Sequence, residues 1–254
     1  YTKYSNDSDK YLNGESRMLG REFADIMQTQ LVEDVRAKYE PKWGRRQLWD
    51  RSYAESRIPE VPGVLLEFLS HQNFADMKYG LDPSFRFTAS RAIYKAMLKF
   101  LAYKNGTDYV VQPLPVKNFA AILTPDSKRV HLSWEPVADE LEPTAVAKSY
   151  VLYKREGTGG FDEGTVIEGT KCEVEIQPGV IYGFKVVALN EGGISFPSEI
   201  LSVGVSASPA AKRAKVMIVN GFERVSPPAH FQSKDSTYAG FLDIYDHGVP
   251  YIRD

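Results

Sequence analysis

The sequence predicts a multidomain chain: a partial α/β unit, an all-β sandwich and the start of a further α/β unit. Three observations carry this reading. Residues 1–108 set two long helical apolar patterns around short apolar runs, the alternation expected of α/β architecture. Residues 116–207 carry period-two runs separated by turn residues, the pattern of a β-sandwich. Beyond position 208, Lys215-Val216-Met217-Ile218-Val219 reads as a buried first strand that turns at Asn220-Gly221. Between the first two units, residues 109–115 contain Gln112-Pro113-Leu114-Pro115 and read as a short stiff linker.

In the first unit, Ser16 is placed to cap a helix with Leu19, Phe23, Ile26, Met27, Leu31 and Val35 on one face, ending before Pro41. Gln47 to Tyr53 reads as a short strand and Gly63 to Leu69 as a buried one. Asp82 caps a second long helix with Pro83 in its first turn, and its expected apolar face is Phe87, Ile93, Met97, Phe100 and Leu101. Two helices and two strands leave a sheet edge uncovered, so the expected remaining strands precede Tyr1. The chain opens at Tyr1 in a polar stretch and stops at Asp254 with no element completed, which predicts a piece of a longer protein.

In the second unit, strand-like runs cover Val130 to Trp134, Ser149 to Tyr153, Cys172 to Ile176 and Tyr182 to Ala188. Seven strands are expected, with Trp134 filling the space between two sheets rather than serving as a sugar platform, because its neighbours alternate as a core face requires. Cys172 is the single cysteine, so no internal disulfide forms, and it reads as a small core residue on a strand.

Composition narrows the function classes. A net charge of -2 over 254 residues gives no basic footprint, so nucleic acid is not an expected partner. No apolar run reaches the length of a membrane span. Gly157-Thr158-Gly159-Gly160 lacks the lysine and helix of a phosphate loop and reads as a hairpin turn. Asn6-Asp7-Ser8 and Asn105-Gly106-Thr107 fit a glycosylation pattern but read as turns or caps, and Arg45-Arg46 reads as a solvated pair. The residue that stands out is Glu67, which ends the run Pro62-Gly63-Val64-Leu65-Leu66. A carboxylate there is costly if sealed from water, but tolerable at the open carboxyl end of a parallel strand, where α/β folds place their chemistry.

The run Glu67-Phe68-Leu69-Ser70-His71-Gln72-Asn73-Phe74-Ala75-Asp76 resembles a motif of the zinc-dependent N-acetylmuramoyl-L-alanine amidases, which cut bacterial peptidoglycan. That family's pattern is Glu, any residue, Gly-Phe-Leu-Ser-Asn, then an acidic residue three positions on. The spacing of Glu67, Asn73 and Asp76 is kept; Leu69 replaces the Gly, and His71-Gln72 replaces the Leu-Ser pair. The resemblance implies that Glu67 is the catalytic proton-handling carboxylate and that a Zn2+ ion activates the attacking water. It implies zinc ligands upstream of Tyr1, because none of His71, His131, His230 and His247 has the family's ligand context. Asn73, His71 and Arg51 are the expected substrate-binding residues, with Tyr53 and Glu55 near the same cleft. The expected partner is peptidoglycan or another bacterial glycan, and the expected location is the periplasm, the cell surface or the medium.

Leu132-Ser133-Trp134, Tyr150, Tyr153, the run Ile176 to Tyr182 and the run Ala188 to Ser195 with Pro197-Ser198 resemble a fibronectin type III domain over residues 116–207. That resemblance implies that Tyr182 is a corner tyrosine whose hydroxyl ties strand to loop. The order of amidase-like unit, fibronectin-like unit and further strand resembles large secreted proteins of Bacteroidetes-type bacteria, some of which carry a xanthan-lyase label. Three function classes stay open: a cell-wall amidase; a non-catalytic amidase-like scaffold or glycan-binding protein; and another carbohydrate-active enzyme whose chemistry lies outside this chain.

Overall fold

A computed structural model describes residues 1–208 and 226–242. Among them, residues 1–107 with 226–242 form one compact unit and residues 108–208 form a second. The expected strand Lys215 to Val219 and its Asn220-Gly221 turn lie outside the described residues.

The first unit is built on two long helices, α1 (Met18–Lys38) and α4 (Pro83–Asn105), with short helices α2 (Ala54–Arg57) and α3 (Phe74–Gly80) between them. The start of α1 follows the expected chemistry, shifted by a residue: Ser16 Oγ accepts the Met18 N–H at 3.2 Å while Arg17 holds the cap position. At α4, the Asp82 side chain accepts the Ser84 N–H at 2.8 Å, with Pro83 in the first turn. Gly106, at φ 64°, closes the helix in the left-handed conformation that glycine adopts without steric cost.

Met27, Leu31 and Val35 of α1 pack against Phe85, Ala89, Ala92 and Ala96 of α4. The expected apolar face of α4 is thereby corrected. Phe87, Met97 and Leu101 are 40–50% exposed, and the buried stripe is the alanine row bounded by Phe85 and Phe100. Alanine admits a close helix approach that a row of large side chains would prevent. One charged contact is sealed into the unit: Lys95 Nζ lies 2.7 Å from Asp34 Oδ2, both nearly inaccessible, and Gln30 Nε2 donates to Asp34 Oδ1 at 2.8 Å.

The two strands expected in this unit do not form a ladder among the described residues. Residues 43–53 and 61–70 carry no regular element, apart from α2 just beyond the first of them. The run expected to be buried is only partly so, with Leu65 and Leu66 more than a third exposed. A strand exists through hydrogen bonds to a neighbour, and these segments exchange none with each other. A trace of parallel pairing survives at one place, where the Tyr1 amino group donates to the Trp49 carbonyl at 3.2 Å and the Arg51 N–H donates to the Tyr1 carbonyl at 3.0 Å. Aromatic packing holds the segments instead. Phe68 stacks on Phe85 at 5.6 Å, and Trp43 meets Phe68, Tyr79 and Phe85 at 5.5–5.9 Å. Residues 226–242, expected to lie in a further α/β unit, contribute a hairpin, β9 (Ala229–Gln232) with β10 (Ala239–Leu242), and Phe241 contacts Phe74 at 5.2 Å.

The second unit is a two-sheet sandwich. One sheet orders β1 (Lys117–Leu123), β2 (Arg129–Glu135) and β5 (Lys171–Glu175). The other orders β4 (Thr165–Ile167), β3 (Ser149–Glu156) and β6 (Ile181–Asn190), with β7 (Gly193–Ile194) and β8 (Leu201–Gly204) both against β6. These last two act as one interrupted strand. Between them the Ser195 and Ser198 N–H groups donate to the Ala188 and Val186 carbonyls, and the return bonds from the Ala188 and Val186 N–H groups go to Ser195 Oγ at 2.9 Å and Ser198 Oγ at 3.0 Å. Counted that way the strands number seven, as expected from the alternation.

The inner faces alternate as predicted: Val130, Leu132 and Trp134 face Tyr150, Leu152, Phe184 and Val186. Trp134 is 3% exposed and meets Tyr150 edge-on at 5.4 Å, which makes it a core residue. Tyr182 Oη accepts the Gln177 N–H at 3.1 Å, the strand-to-loop tie expected of a corner tyrosine. Partial burial pushes the Cys172 thiol pKa up, consistent with packing rather than reactivity.

Residues 109–115, expected as a linker, are built into this sandwich. Val111 and Pro113 are fully buried. The Val111 N–H donates to Thr144 Oγ1 at 3.0 Å, and Asn190 Nδ2 donates to the Val111 carbonyl at 2.9 Å. Gly192 lets this segment in: a Cβ there would sit 2.4 Å from the Val110 carbonyl oxygen.

Candidate functional site

Glu67 owes its position to its neighbours. Phe68, next in the chain, is anchored in the aromatic cluster, and Val64 packs on the helix core, while Glu67 stays exposed. No hydrogen bond or ion pair among the described residues engages its carboxylate. Two clefts meet at this side chain. The first, about 250 Å³, is lined by Met27 and Gln28 of α1, by Arg46, Trp49, Arg51 and Tyr53, and by Leu65 to Glu67. The second, about 560 Å³, runs past Gln28, Trp43, Arg46 and Glu67 to Ser70 and Asp76.

The turn after Glu67 is fixed by the residues whose spacing the resemblance singled out. Asn73 Oδ1 accepts the Ala75 N–H at 2.9 Å and the Asp76 N–H at 3.3 Å, which caps α3. Asp76 Oδ2 reaches back to accept the Ser70 N–H at 2.9 Å. The two side chains together close residues 70–76 into one hydrogen-bonded turn, and that is the structural use of the Asn–Asp spacing. Asn73 and His71 do not line either cleft, and His71 sits exposed in the turn. Arg51, the third expected substrate-binding residue, lines the first cleft with Glu67, and Tyr53 lines it too.

The first cleft is aromatic and cationic around that carboxylate. The Arg51 guanidinium lies over the Trp49 ring at 4.9 Å, with Trp49 and Tyr53 about half exposed. The peptide segment carrying Arg51 is pinned from behind: Thr2 Oγ1 donates to the Arg51 carbonyl and also bonds Ser56 Oγ at 2.7 Å. Residues 57–60 are fixed by Arg17, which is 1% exposed and pairs with Glu60 at 2.9 Å. Sequence reasoning missed Gln28 and Trp49. Gln28 Oε1 is buried without a partner among the described residues, and Gln28 lines both clefts. Its signal in the sequence was faint: one polar residue directly beside the apolar stripe at Met27.

Among the described residues no three His, Cys, Asp or Glu side chains converge on a metal-sized site, and the zinc ligands that the resemblance implies are expected upstream of Tyr1. No helix among the described residues is long and apolar enough to cross a membrane.

No protein-family model and no curated protein matches the chain. Solved structures similar to it include the twitchin kinase region from C. elegans, at 24% identity over 41% of this chain and 18% of that chain, with a TM-score of 0.33. The fourth FNIII domain of a human protein is 23% identical over 39% of this chain and 86% of its own, with a TM-score of 0.33. The FN5 domain of Drosophila Lar is 22% identical over 38% of this chain and 99% of its own, with a TM-score of 0.29. By its own strand order and corner tyrosine, the sandwich formed by residues 108–208 is fibronectin type III-like.

Proposed function

We propose that the first unit contributes Glu67 as the proton-transfer carboxylate of a cell-wall hydrolase that cuts the amide bond between N-acetylmuramic acid and L-alanine in peptidoglycan. The observation that carries this is an exposed carboxylate, free of partners among the described residues, beside the packed Phe68 where two clefts meet. A general base needs that combination: fixed in position, wet enough to exchange protons, and not consumed by an ion pair. Glu67 accepts a proton from the attacking water and hands it to the nitrogen of the departing L-alanine. Anchoring through Phe68 and the Asn73–Asp76 turn keeps the carboxylate in place during both transfers. The fibronectin type III-like sandwich serves as a spacer, and the site of action is the periplasm or cell surface, where peptidoglycan lies.

Glu67→Gln tests the reading, because it keeps the shape and removes the base. In the full protein, release of the stem peptide from purified peptidoglycan is expected to fall by roughly 10²–10⁴-fold while the thermal melt stays unchanged. Full activity in the variant would exclude the role of Glu67. Binding of peptidoglycan without cleavage by the parent protein would instead favour a non-catalytic scaffold.

A further inference from the structure

We propose that Arg51, seconded by Arg46, forms a carboxylate-reading subsite beside Glu67 that selects acidic stem peptides. This rests on the amidase reading for the identity of the ligand, though the subsite itself is argued from charge and geometry. The first cleft holds two guanidinium groups, Arg46 and Arg51, and one carboxylate, Glu67. Other cations of this unit are ion-paired: Arg45 with Asp25, Lys3 with Asp50, Arg17 with Glu60 and Lys104 with Glu15. Arg46 and Arg51 form no ion pair among the described residues.

Arg51 is also oriented. Its Cζ lies over the Trp49 ring, 4.9 Å from the centroid, a cation–π contact that restrains the side chain. No hydrogen bond or ion pair among the described residues engages its five N–H donors, which lie in one plane in the fork that matches a carboxylate bidentately. A preoriented, unpaired guanidinium in a cleft with a free general base is suited to an anionic group of the substrate, held clear of Glu67 by attraction to the arginines. In a muramoyl peptide, the anion next along from the scissile amide is the free α-carboxylate of the second stem residue.

The test compares N-acetylmuramoyl-L-alanyl-D-glutamate with the same compound carrying its α-carboxyl group as an amide. Affinity for the full protein is measured by titration calorimetry with Glu67→Gln in place, and hydrolysis is measured with Glu67 intact. The acid is expected to bind about ten- to a hundredfold more tightly than the amide, the range of a charge-assisted hydrogen-bonded pair. Arg51→Gln is expected to remove that preference, raising KM for the acid with little change in kcat. Arg51→Lys is expected to recover only part of it, because a point charge lacks the fork. Equal affinity for acid and amide, an unchanged preference in Arg51→Gln, or no binding of either compound would overturn the subsite. A preference for the acid without any hydrolysis would sustain the subsite and overturn the amidase reading.

Discussion

At the scale of single residues, the contrast between Lys95 and Glu67 is instructive. Lys95 and Asp34 are sealed between helices, and Gln30 satisfies a further Asp34 oxygen. Removing one member strands the other charge in a medium that solvates it poorly. Lys95→Met is therefore expected to cost about 3–5 kcal/mol, read by urea unfolding, while Lys95→Met combined with Asp34→Leu should recover most of the loss. Glu67 carries no such obligation, so its replacement tests chemistry rather than folding. The sequence pointed to Glu67, since a carboxylate at the end of an apolar run is conspicuous. The resemblance added Asn73 and His71 as substrate-binding residues, and the structure places them in a helix cap and an exposed turn. Spacing along the chain reports how a turn is closed as readily as what a site contains, and the two uses of Asn73 and Asp76 look alike in one dimension.

At the scale of elements, caps and alternation were legible and the choice of buried face was not. Asp82 caps α4 as its local chemistry requires, because an N-cap needs only the residues two or three positions on. The face of α4 that packs is set by α1, which selects the alanine row. Ala92→Leu is expected to force that interface apart and cost about 1–3 kcal/mol, measured by chemical denaturation. Met97→Ala, on the face expected to be core, should change stability by no more than about 0.5 kcal/mol. The run Gly63 to Leu69 shows the same limit. Its composition is that of a strand, but a ladder needs a neighbour, and aromatic stacking through Phe68 holds the segment where no neighbour pairs with it.

At the scale of the whole molecule, the two units differ in how much of their organisation local pattern could reveal. The sandwich is expected to melt cooperatively as an isolated fragment of residues 108–208, followed by circular dichroism. A fragment starting at Val116 lacks Val111 and Pro113 and leaves the Asn190 amide without its Val111 acceptor. Loss of that burial and of a buried hydrogen bond is expected to lower stability by roughly 3–6 kcal/mol. Equal stability of the two fragments would restore the linker reading of residues 109–115. What the sequence by itself determined was whatever depends on a few neighbouring residues: the strand alternation of the sandwich, the Trp134 core position, the helix starts and the conspicuous carboxylate at Glu67, with the Tyr182 corner implied by the fibronectin type III resemblance. Only the tertiary structure decided which faces meet, that a proline-rich stretch is core rather than linker, and that Trp49 and Gln28 line the cleft in which Arg51 was expected beside Glu67. The reason is physical: periodicity and capping are settled within a turn or two of backbone, whereas pairing, burial and cleft formation depend on partners that sequence spacing does not name.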